Sequence, residues 1–330
     1  MTVVTRAGAG SGEFSLLVDR YRAELLAHCY RMLGSVHDAE DALQEALVRA
    51  WRGYGAFEGR SSARTWLYRI ATNACLRFLE QRERRPLPSG LGAPAGNPDE
   101  AVPGPARDVA WLEPFPDALL SSAAPDPAVL VAAWSGLRLS VVAALQRLPV
   151  RQRTVFILRD VLGWRAAEVA SLLDASVIAV NSALQRAREQ VRELPVRPDE
   201  VREPAARPDQ ALVDRYAKAI EEADAPALVA LLAEDATFEM PPMPAWFRGR
   251  PAIGRFFATR ILTSPGQFTL LKVTANGQPA FAVYRREDGG PRRAHAIQVL
   301  TTEGPRITGI TAFLDPSLFP LFGQAPALPG

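Results

Sequence analysis

The sequence has few of the residues that build metal centres, disulfide frameworks and membrane spans. Two cysteines and three histidines lie scattered along 330 residues, so neither a zinc site nor a set of disulfides is expected. No apolar run approaches the length of a membrane span, and the N-terminus lacks the charged and then apolar pattern of a secretion signal. We therefore expect a cytoplasmic protein with reduced thiols, no metal, no cofactor and no membrane partner.

Lysine is almost absent as well, because Lys218 and Lys272 are the only two in the chain. Arginine therefore carries the basic charge, and its planar guanidinium suits phosphate, although a biased genome composition produces the same preference. The formal net charge is only +2, so any nucleic-acid contact must come from local patches. The length predicts two or three domains, and an apolar content of 48% is typical of globular chains.

The stretch from Phe57 to Arg85 combines a polar, glycine-bearing loop with a helix that has two unlike faces. One face is an apolar stripe at helical spacing, which predicts a side packed on a core. The other face offers guanidiniums for phosphate, a ring for stacking and an amide for a base edge. Composition alone favours a solvated helix face with a half-buried tryptophan. The nucleic-acid interpretation therefore depends on the neighbouring sequence.

Residues 38–51, directly before this stretch, read DAEDALQEALVRAW. An acidic first turn has a local explanation in the helix dipole, so the longer pattern carries the assignment. The two adjacent motifs together resemble the RNA polymerase sigma-70 family, specifically its extracytoplasmic-function branch. The resemblance implies core RNA polymerase as a partner, docked through Asp38, Glu40, Asp41, Gln44, Glu45 and Trp51.

The same resemblance implies that the loop and the basic helix open and read the minus-10 promoter element. Promoter DNA is therefore the second expected partner. The candidate contacts are Phe57, Arg60, Ser61, Ser62, Arg64, Trp66, Arg69, Asn73, Arg77, Arg84 and Arg85.

Residues 87–127 form an acidic, Pro-rich segment that cannot bury enough surface to fold by itself. We interpret it as a flexible linker, and its aromatic residues Trp111 and Phe115 leave two roles open. In sigma factors the linker between the DNA-binding domains threads the RNA exit path, where an acidic extended chain would imitate nascent RNA. Alternatively, the aromatics dock the tether on a neighbouring domain.

Residues 128–195 show the pattern of an all-α domain that ends in a helix-turn-helix, with helices over Arg165–Leu173 and Val177–Leu194. The segment VNSALQRAR resembles the fourth conserved region of sigma factors, which reads the minus-35 element. The resemblance makes the following residues candidate contacts with that element: Ser176, Val177, Asn181, Ser182, Gln185, Arg186 and Arg188.

Two departures from the family pattern occur in this domain. Arg165 precedes Glu168 where the family usually has Ser or Thr, so we expect the capping box to be lost. Asp174 and Ala175 stand in the tight turn where glycine is frequent. Neither departure changes the predicted fold.

Residues 208–325 follow a second linker (196–207) and predict a separate α+β domain. Three helical patterns accompany a strand at Thr237–Met240 and four later strands, and Asn276-Gly277 is a strong hairpin signal. This gives an α+β cone with a curved antiparallel sheet. LLAEDATFEMPP and WFRGRPAI resemble the SnoaL-like polyketide cyclase group of the ketosteroid-isomerase-like fold. Joined to sigma domains, they resemble a subset of extracytoplasmic-function sigma factors with a SnoaL-like extension.

Folds of this kind also host isomerases and cyclases, so the cone is a candidate site for a small-molecule ligand. Asp235 and Glu239 could supply a general base near Trp246 and Phe247 if an apolar pocket raised the pKa of one carboxyl. No His–Asp pair supports catalysis, fold does not imply function, and aromatics at such positions are more often core.

The sequence thus predicts a disordered N-terminus (1–12), a sigma region 2 domain (13–86), the acidic linker, a sigma region 4 domain and the SnoaL-like domain. The expected function is that of a non-enzymatic sigma factor regulated in cis by its C-terminal domain, without a separate anti-sigma protein. An alternative is a sigma factor whose C-terminal domain is also an isomerase or cyclase. The polymerase-docking motif argues against a third class, the stand-alone helix-turn-helix regulator.

Overall fold

The computed structural model describes residues 4–59, 61–80, 84–121, 127–194, 209–286 and 290–329. The chain divides into two compact units. The helical unit comprises Met1–Arg85 and Asp117–Pro204, and the cone unit comprises Pro86–Pro116 and Ala205–Gly330. The segment between the two sigma-like motifs therefore belongs to the same unit as the C-terminal domain.

The helical unit begins with three long helices that pack on one another. Gly34, at φ +70°, ends the first helix, and the Ser35 side chain caps the second by accepting the Asp38 N–H at 3.1 Å. The helices are α1 (Val4–Leu33), α2 (Val36–Tyr54), α3 (Ala63–Glu80), α4 (Ala118–Ser121), α5 (Pro127–Trp134), α6 (Leu139–Arg147), α7 (Val150–Phe156), α8 (Ala166–Leu172) and α9 (Val177–Arg192). A π-helical turn, Ile157–Val161, continues α7.

Helix α1 begins earlier than the sequence predicts. Residues 1–12 were expected to be disordered, but the structure describes residues 4–12 as the start of α1. Extending an existing helix adds one hydrogen bond per residue without a new nucleation cost, so a small-residue segment can join the amphipathic helix that follows it.

Two fully buried arginines connect the first three helices to the rest of the helical unit, a contact that we call the arginine junction. Arg31 donates from Nε to the Ser135 carbonyl (2.8 Å) and from Nη2 to the carbonyls of Ala132 (2.7 Å) and Ala133 (2.6 Å). The two alanines lie in the last turn of α5, where carbonyls have no intrahelical partner. Burial lowers the pKa of Arg31 to about 10, which still leaves the guanidinium charged at neutral pH.

Arg153 makes the second half of the arginine junction. Its Nη1 donates to the Met32 carbonyl (2.5 Å) and to Oε1 of Gln146 (2.7 Å). Gln146 in turn donates from Nε2 to the Arg31 carbonyl at 3.2 Å. The C-terminal end of α1 is therefore held by α5, α6 and α7 through buried polar bonds, in addition to apolar packing.

The cone unit contains helices α10 (Gln210–Glu221), α11 (Ala225–Leu231) and α12 (Arg250–Phe256), the last continued by a π-helical turn. Its strands are β1 (Leu232–Glu239), β2 (Trp246–Arg248), β3 (Phe268–Ala275), β4 (Gln278–Arg286), β5 (Arg292–Glu303), β6 (Arg306–Phe313) and β7 (Ala327–Leu328). The sheet order is β2-β1-β6-β5-β4-β3, and β7 pairs with β5. The pair β1–β6 is parallel and the others are antiparallel, so the predicted antiparallel sheet is in fact mixed.

The predicted hairpin turn is confirmed. Ala275 pairs with Gln278 across β3 and β4, and Asn276 and Gly277 between them both have positive φ, +58° and +69°. That backbone requires residues that tolerate the left-handed region, which Asn and Gly do.

Both cysteines, Cys29 and Cys75, are free and buried. Within the described ranges, no cluster of three or more histidine, cysteine or acidic side chains is arranged to hold a metal ion. No single described helix is long and apolar enough to cross a membrane, although α8 and α9 together meet that criterion across a 105° bend.

Candidate nucleic-acid and polymerase interfaces

Helix α2 presents an exposed stripe along one side. Asp41, Gln44 and Trp51 are exposed, and Val48, which sequence reasoning missed, is 50% exposed between Gln44 and Trp51. The spacing of three, four and three residues places these four side chains on one helical face. We call Asp41, Gln44, Val48 and Trp51 the α2 stripe. It has a polar end and an apolar end, and the helical period alone would have identified Val48.

Asp38 does not belong to this exposed surface. The sequence interpretation placed it on the polymerase-docking face, but Asp38 is buried and its Oδ2 accepts a 2.6 Å bond from Nη2 of Arg85. Glu40 is half-buried. Arg85 was predicted to contact DNA, so one predicted polymerase contact and one predicted DNA contact satisfy each other. The pair fixes the chain after α3 against the start of α2.

Glu45 and Arg77 form a second pair of this kind. Oε1 of Glu45 accepts from Arg77 Nη2 at 3.2 Å and from Arg49 Nη2 at 2.6 Å. These side chains are 37% to 48% exposed, so water screens the pairs and each contributes little to stability. Glu45 and Arg77 therefore remain accessible to a partner.

Arg64 contributes to the core rather than to an open basic surface. Its Nε donates to both carboxylate oxygens of Glu24, at 2.9 and 3.0 Å, and its Nη2 donates to Oε2 at 2.8 Å. Glu24 is fully buried and also accepts the Tyr68 hydroxyl at 3.2 Å. The hydrogen bonds to Glu24 raise the pKa of Arg64 despite its partial burial. The sequence predicted Arg64 as a DNA contact from its residue type and position, and neither of these indicates that Glu24 is its partner.

Trp66 packs in an aromatic cluster at the start of α3. Its ring lies 4.8 Å from that of Phe57 and 6.4 Å from that of Tyr54, and the side chain is half-buried. Ser62 begins the helix, because its Oγ accepts the Thr65 N–H at 3.1 Å. Ser61 is exposed, and Arg60 lies outside the described residues. The loop therefore supports Trp66 with a second ring.

Arg69 and Asn73 are exposed on α3, as predicted, and Arg84 is exposed but lies beyond the end of the helix at Glu80. Arg69 Nη2 donates to the carbonyl and Oγ of Ser171 in α8, at 3.3 and 3.1 Å. Next to it, the ring of Tyr68 lies 5.3 Å from that of Trp164. In this structure the predicted minus-10 helix thus contacts the helix-turn-helix half of the unit.

The helix-turn-helix is formed by α8 and α9. Half of the capping box survives the Arg165 departure, because Oε2 of Glu168 accepts the Arg165 N–H at 2.7 Å. This bond lowers the pKa of Glu168. Asp174 adopts φ +48° in the turn, which Asp tolerates, and Ser176 caps α9 by accepting the Ala179 N–H at 3.1 Å.

The outward face of α9 carries the predicted minus-35 residues. Val177, Asn181, Ser182, Gln185, Arg186 and Arg188 are all exposed, as is the cap residue Ser176. Nε and Nη2 of Arg188 donate to the two carboxylate oxygens of Asp160 at 2.7 and 2.6 Å, and this carboxylate raises the pKa of Arg188. An open groove of about 460 Å³ runs beside these residues and is lined by Arg159, Asn181, Leu184, Gln185, Arg188, Glu189 and Arg192.

The four predicted cone-pocket residues lie in unlike surroundings. Asp235 is exposed, whereas Phe247 is buried in the core with its ring 4.4 Å from that of Phe256. Glu239 is buried, and burial raises the pKa of its carboxyl. Its Oε2 accepts the Ser89 N–H at 2.8 Å. The carboxylate of Glu239, which the sequence suggested as a general base, therefore binds the linker.

The segment Pro86–Pro116, hereafter the docked linker, lies along the cone unit through main-chain bonds. Trp246 donates from Nε1 to the Gly92 carbonyl (3.0 Å) and accepts the Ala95 N–H with its own carbonyl (2.7 Å). The Ala106 N–H donates to the Pro242 carbonyl at 3.0 Å. The half-buried Asp99 forms an ion pair with the exposed Arg255.

The end of the docked linker is held most specifically. The Phe115 N–H donates to Oδ1 of Asn276 and the Asn276 N–H donates to the Phe115 carbonyl, both at 2.9 Å. Phe115 and Asn276 are fully buried, and Pro116 makes a β-bridge with Ala275. Trp111 is half-buried and donates from Nε1 to the Ala106 carbonyl within the linker. Of the two roles left open for these aromatics, the structure describes docking for Phe115.

The chain matches three family descriptions: Sigma-70 region 2 over residues 17–85, Sigma-70 region 4 over residues 138–191, and SnoaL-like domain over residues 213–310. It is 47% identical over 319 residues to the ECF RNA polymerase sigma factor SigG of Mycobacterium tuberculosis (strain ATCC 25618 / H37Rv), covering 96% of this chain and 85% of that protein. It is 33% identical over 178 residues to the RNA polymerase sigma-H factor of Pseudomonas aeruginosa, covering 54% and 83%.

Among solved structures, the chain resembles the extracytoplasmic-function sigma factor SigJ of Mycobacterium tuberculosis. The TM-score is 0.62 at 23% identity, covering 96% of this chain and 99% of the other. At that identity the likeness is one of fold.

Proposed function

Because the chain belongs to the extracytoplasmic-function (ECF) family of RNA polymerase sigma factors, we propose that its SnoaL-like domain regulates it in cis by holding the linker between the two sigma domains. Sigma factors bind core RNA polymerase and promoter DNA and are not enzymes. The proposal concerns how access to those two partners is controlled within one chain.

The observation that supports this regulation is the reciprocal bond between Phe115 and Asn276. It buries an aromatic residue of the linker and satisfies two main-chain amides at the same time. Since a Pro-rich segment of this kind has no fold of its own, its order depends on the cone unit. The covalent connection also keeps the two at high effective concentration, so weak contacts stay populated.

Docking changes the reach of the linker. The 31 residues of the docked linker could span at most about 110 Å when extended. Promoter elements roughly 25 base pairs apart are separated by about 85 Å along B-DNA. When the linker is bound to the cone unit, the distance between its two ends is fixed by the path of the linker on that surface. When it is released, its ends can move apart by most of its contour length. Simultaneous contact with both promoter elements therefore requires release of the linker together with opening of the arginine junction, which joins the two sigma domains.

We also propose which surfaces perform the sigma functions. The α2 stripe docks on core polymerase. Trp66, Arg69 and Asn73 contact the minus-10 element, and the outward face of α9 enters the major groove at the minus-35 element. The contact between Arg69 Nη2 and Ser171 competes with a bidentate phosphate contact that uses the same nitrogen. Regulation within the chain makes a separate anti-sigma protein unnecessary.

A small-molecule ligand in the cone fits this proposal only as a regulator. Such a ligand shifts the docking equilibrium only if it binds the docked and released forms with different affinity. Glu239 and Trp246, which both bind the linker, are where the two would compete. Because the Glu239 carboxylate already accepts the Ser89 N–H, the arrangement supports linker binding more directly than it supports isomerase or cyclase chemistry.

The test is run-off transcription with core polymerase and the full-length protein. Asn276→Gly removes the acceptor for the Phe115 N–H, and glycine suits the positive φ at this position. Asn276→Asp keeps an oxygen acceptor and serves as the control. We expect the glycine variant to change transcription in the same direction as truncation after Pro204, with the same promoter choice. Equal transcription by wild type, Asn276→Gly and the truncated form would contradict regulation by the C-terminal domain.

A further inference from the structure

Ile178 is the most exposed large apolar side chain among the described residues, with 79% of its surface accessible. Its neighbour Val177 is 42% exposed. Single exposed apolar residues are common on protein surfaces and need no explanation by themselves. The position of this residue, in contrast, is specific, because it lies in the first turn of α9 directly after the cap at Ser176.

Helix α9 has a buried side and a reading side, and Ile178 lies on the reading side. The buried residues are Val180, Ala183, Leu184 and Ala187. Ile178 shares the opposite side with Asn181, Ser182 and Gln185, at spacings of three, four and seven residues, and all four are exposed. An apolar side chain thus stands at the N-terminal end of a row of polar ones.

The chemistry of this row is complementary to base edges. In a helix-turn-helix, the N-terminal residues of the second helix contact base edges in the major groove. Amide and hydroxyl side chains can exchange hydrogen bonds with those edges, but isoleucine has neither donor nor acceptor. The feature of the major groove that an aliphatic side chain can recognise is the 5-methyl group of thymine.

We propose that Ile178 is a specificity-determining residue that contacts the 5-methyl group of a thymine in the minus-35 element. This inference rests on the proposed placement of α9 in the major groove. The contact selects thymine over cytosine at one position, since cytosine lacks the methyl group. Asn181, Ser182 and Gln185 contact the neighbouring bases through polar groups.

The test compares the effect of shortening the isoleucine with the effect of removing the thymine methyl group that it contacts. A minus-35 site is first selected from random duplexes with the holoenzyme of wild-type protein and core polymerase. Each thymine of that site is then replaced by deoxyuridine, which lacks only the 5-methyl group. We expect one position at which this replacement weakens binding of the wild-type holoenzyme about fourfold. This is the loss of affinity expected when one methyl-sized group is no longer buried.

Ile178→Ala should bind the thymine site about fourfold more weakly and show no further loss on deoxyuridine. Val131→Ala, which shortens a 57% exposed valine on α5, is the matched control and should keep the full response to deoxyuridine. A selected site without thymine, or an Ile178→Ala variant that responds to deoxyuridine as wild type does, overturns the inference. Reduced transcription with an unchanged response to deoxyuridine also overturns it, because it indicates contact with polymerase instead of DNA.

A second variant separates this inference from the proposal beneath it. Gln185→Ala should change the selected minus-35 sequence if α9 enters the major groove. If Gln185→Ala changes the selection and Ile178→Ala leaves the deoxyuridine response intact, only the role of Ile178 is wrong. If neither variant changes selection or response, the placement of α9 is wrong as well.

Discussion

The arginine junction and the docked linker are both intramolecular contacts, but different chemical groups form their hydrogen bonds. In the junction, two charged guanidiniums without solvent exposure satisfy main-chain carbonyls at helix ends. In the docked linker, main-chain groups of an extended segment make most of the bonds, and the charged pair Asp99–Arg255 joins a half-buried carboxylate to an exposed guanidinium. Opening the junction would leave a buried charge without all of its hydrogen bonds at the same time. The main-chain hydrogen bonds along the linker, in contrast, can break one by one. The junction is therefore suited to opening as a single unit, and the linker to release in steps.

The strongest test of the junction is Arg31→Met. The substitution removes the donor from three carbonyls and fills the space with an apolar chain, so we expect the free energy of unfolding to fall by about 3 kcal/mol or more. Arg22→Met, on the exposed side of the same helix, is the control and should change it by less than about 0.5 kcal/mol. Denaturant unfolding measures both, and equal values would remove the contrast with the linker.

A smaller loss of stability is expected for Arg64→Ala. The buried Glu24 keeps only the Tyr68 hydroxyl, and since Arg64 is 32% exposed we expect a cost of about 2–3 kcal/mol. Arg69→Ala, five residues along α3, should barely affect stability. It should instead weaken promoter binding and reduce its salt dependence. If both variants lose stability equally, the division of these arginines into core and surface is wrong.

Phe115→Ala tests the linker side of the comparison. Loss of a fully buried phenylalanine is expected to release the docked linker, so that the Ala95 and Ala106 amides lose protection from hydrogen exchange. Amides of α1 beside the arginine junction should stay protected. Unchanged protection at Ala95 and Ala106 would show that the linker is held independently of Phe115. Ala110→Gly, at an exposed linker position, is the control.

The smallest effect concerns pH. Burial raises the pKa of Glu239 above that of an unfolded glutamate, so the folded protein binds the proton more tightly. Its contribution to stability is therefore greatest below the unfolded pKa and declines as pH rises through the folded pKa. Glu239→Gln keeps an acceptor for the Ser89 N–H and should remove that decline. Unfolding free energies of both proteins across acidic pH measure this, and parallel curves would contradict it.

Patterns of neighbouring residues in the sequence predicted much of this architecture. The wrong predictions concern residues whose partners lie far away in the sequence. The helix-turn-helix, the Asn276-Gly277 turn and the exposed Asn73 follow from periodicity and turn chemistry. Asp38 and Arg64 were assigned to surfaces because their partners, Arg85 and Glu24, lie 47 and 40 residues away in sequence. No local signal marks such a pair, and charged residues default to exposed positions.

The linker shows the same limit in a different form. Its composition predicted a segment without a fold of its own, but the partner of Phe115 is 161 residues away. The sequence marked Asn276 only as a turn residue, but its side chain and its main chain both also bind the linker. The parallel pairing of β1 with β6 was missed for a related reason, since a strand pattern does not indicate the direction of its neighbour.

The partner of Phe115 has a consequence for how each molecule is made. Docking requires β3 and β4, but β4 ends 170 residues after Pro116, and a ribosome adds about 5–20 residues per second. The linker therefore leaves the ribosome well before the surface that holds it, and for about 9–34 s of synthesis it has no hairpin of β3 and β4 to bind. Both sigma domains are complete during part of that interval. Every newly made chain thus passes through an undocked form before the finished protein can close on its own linker.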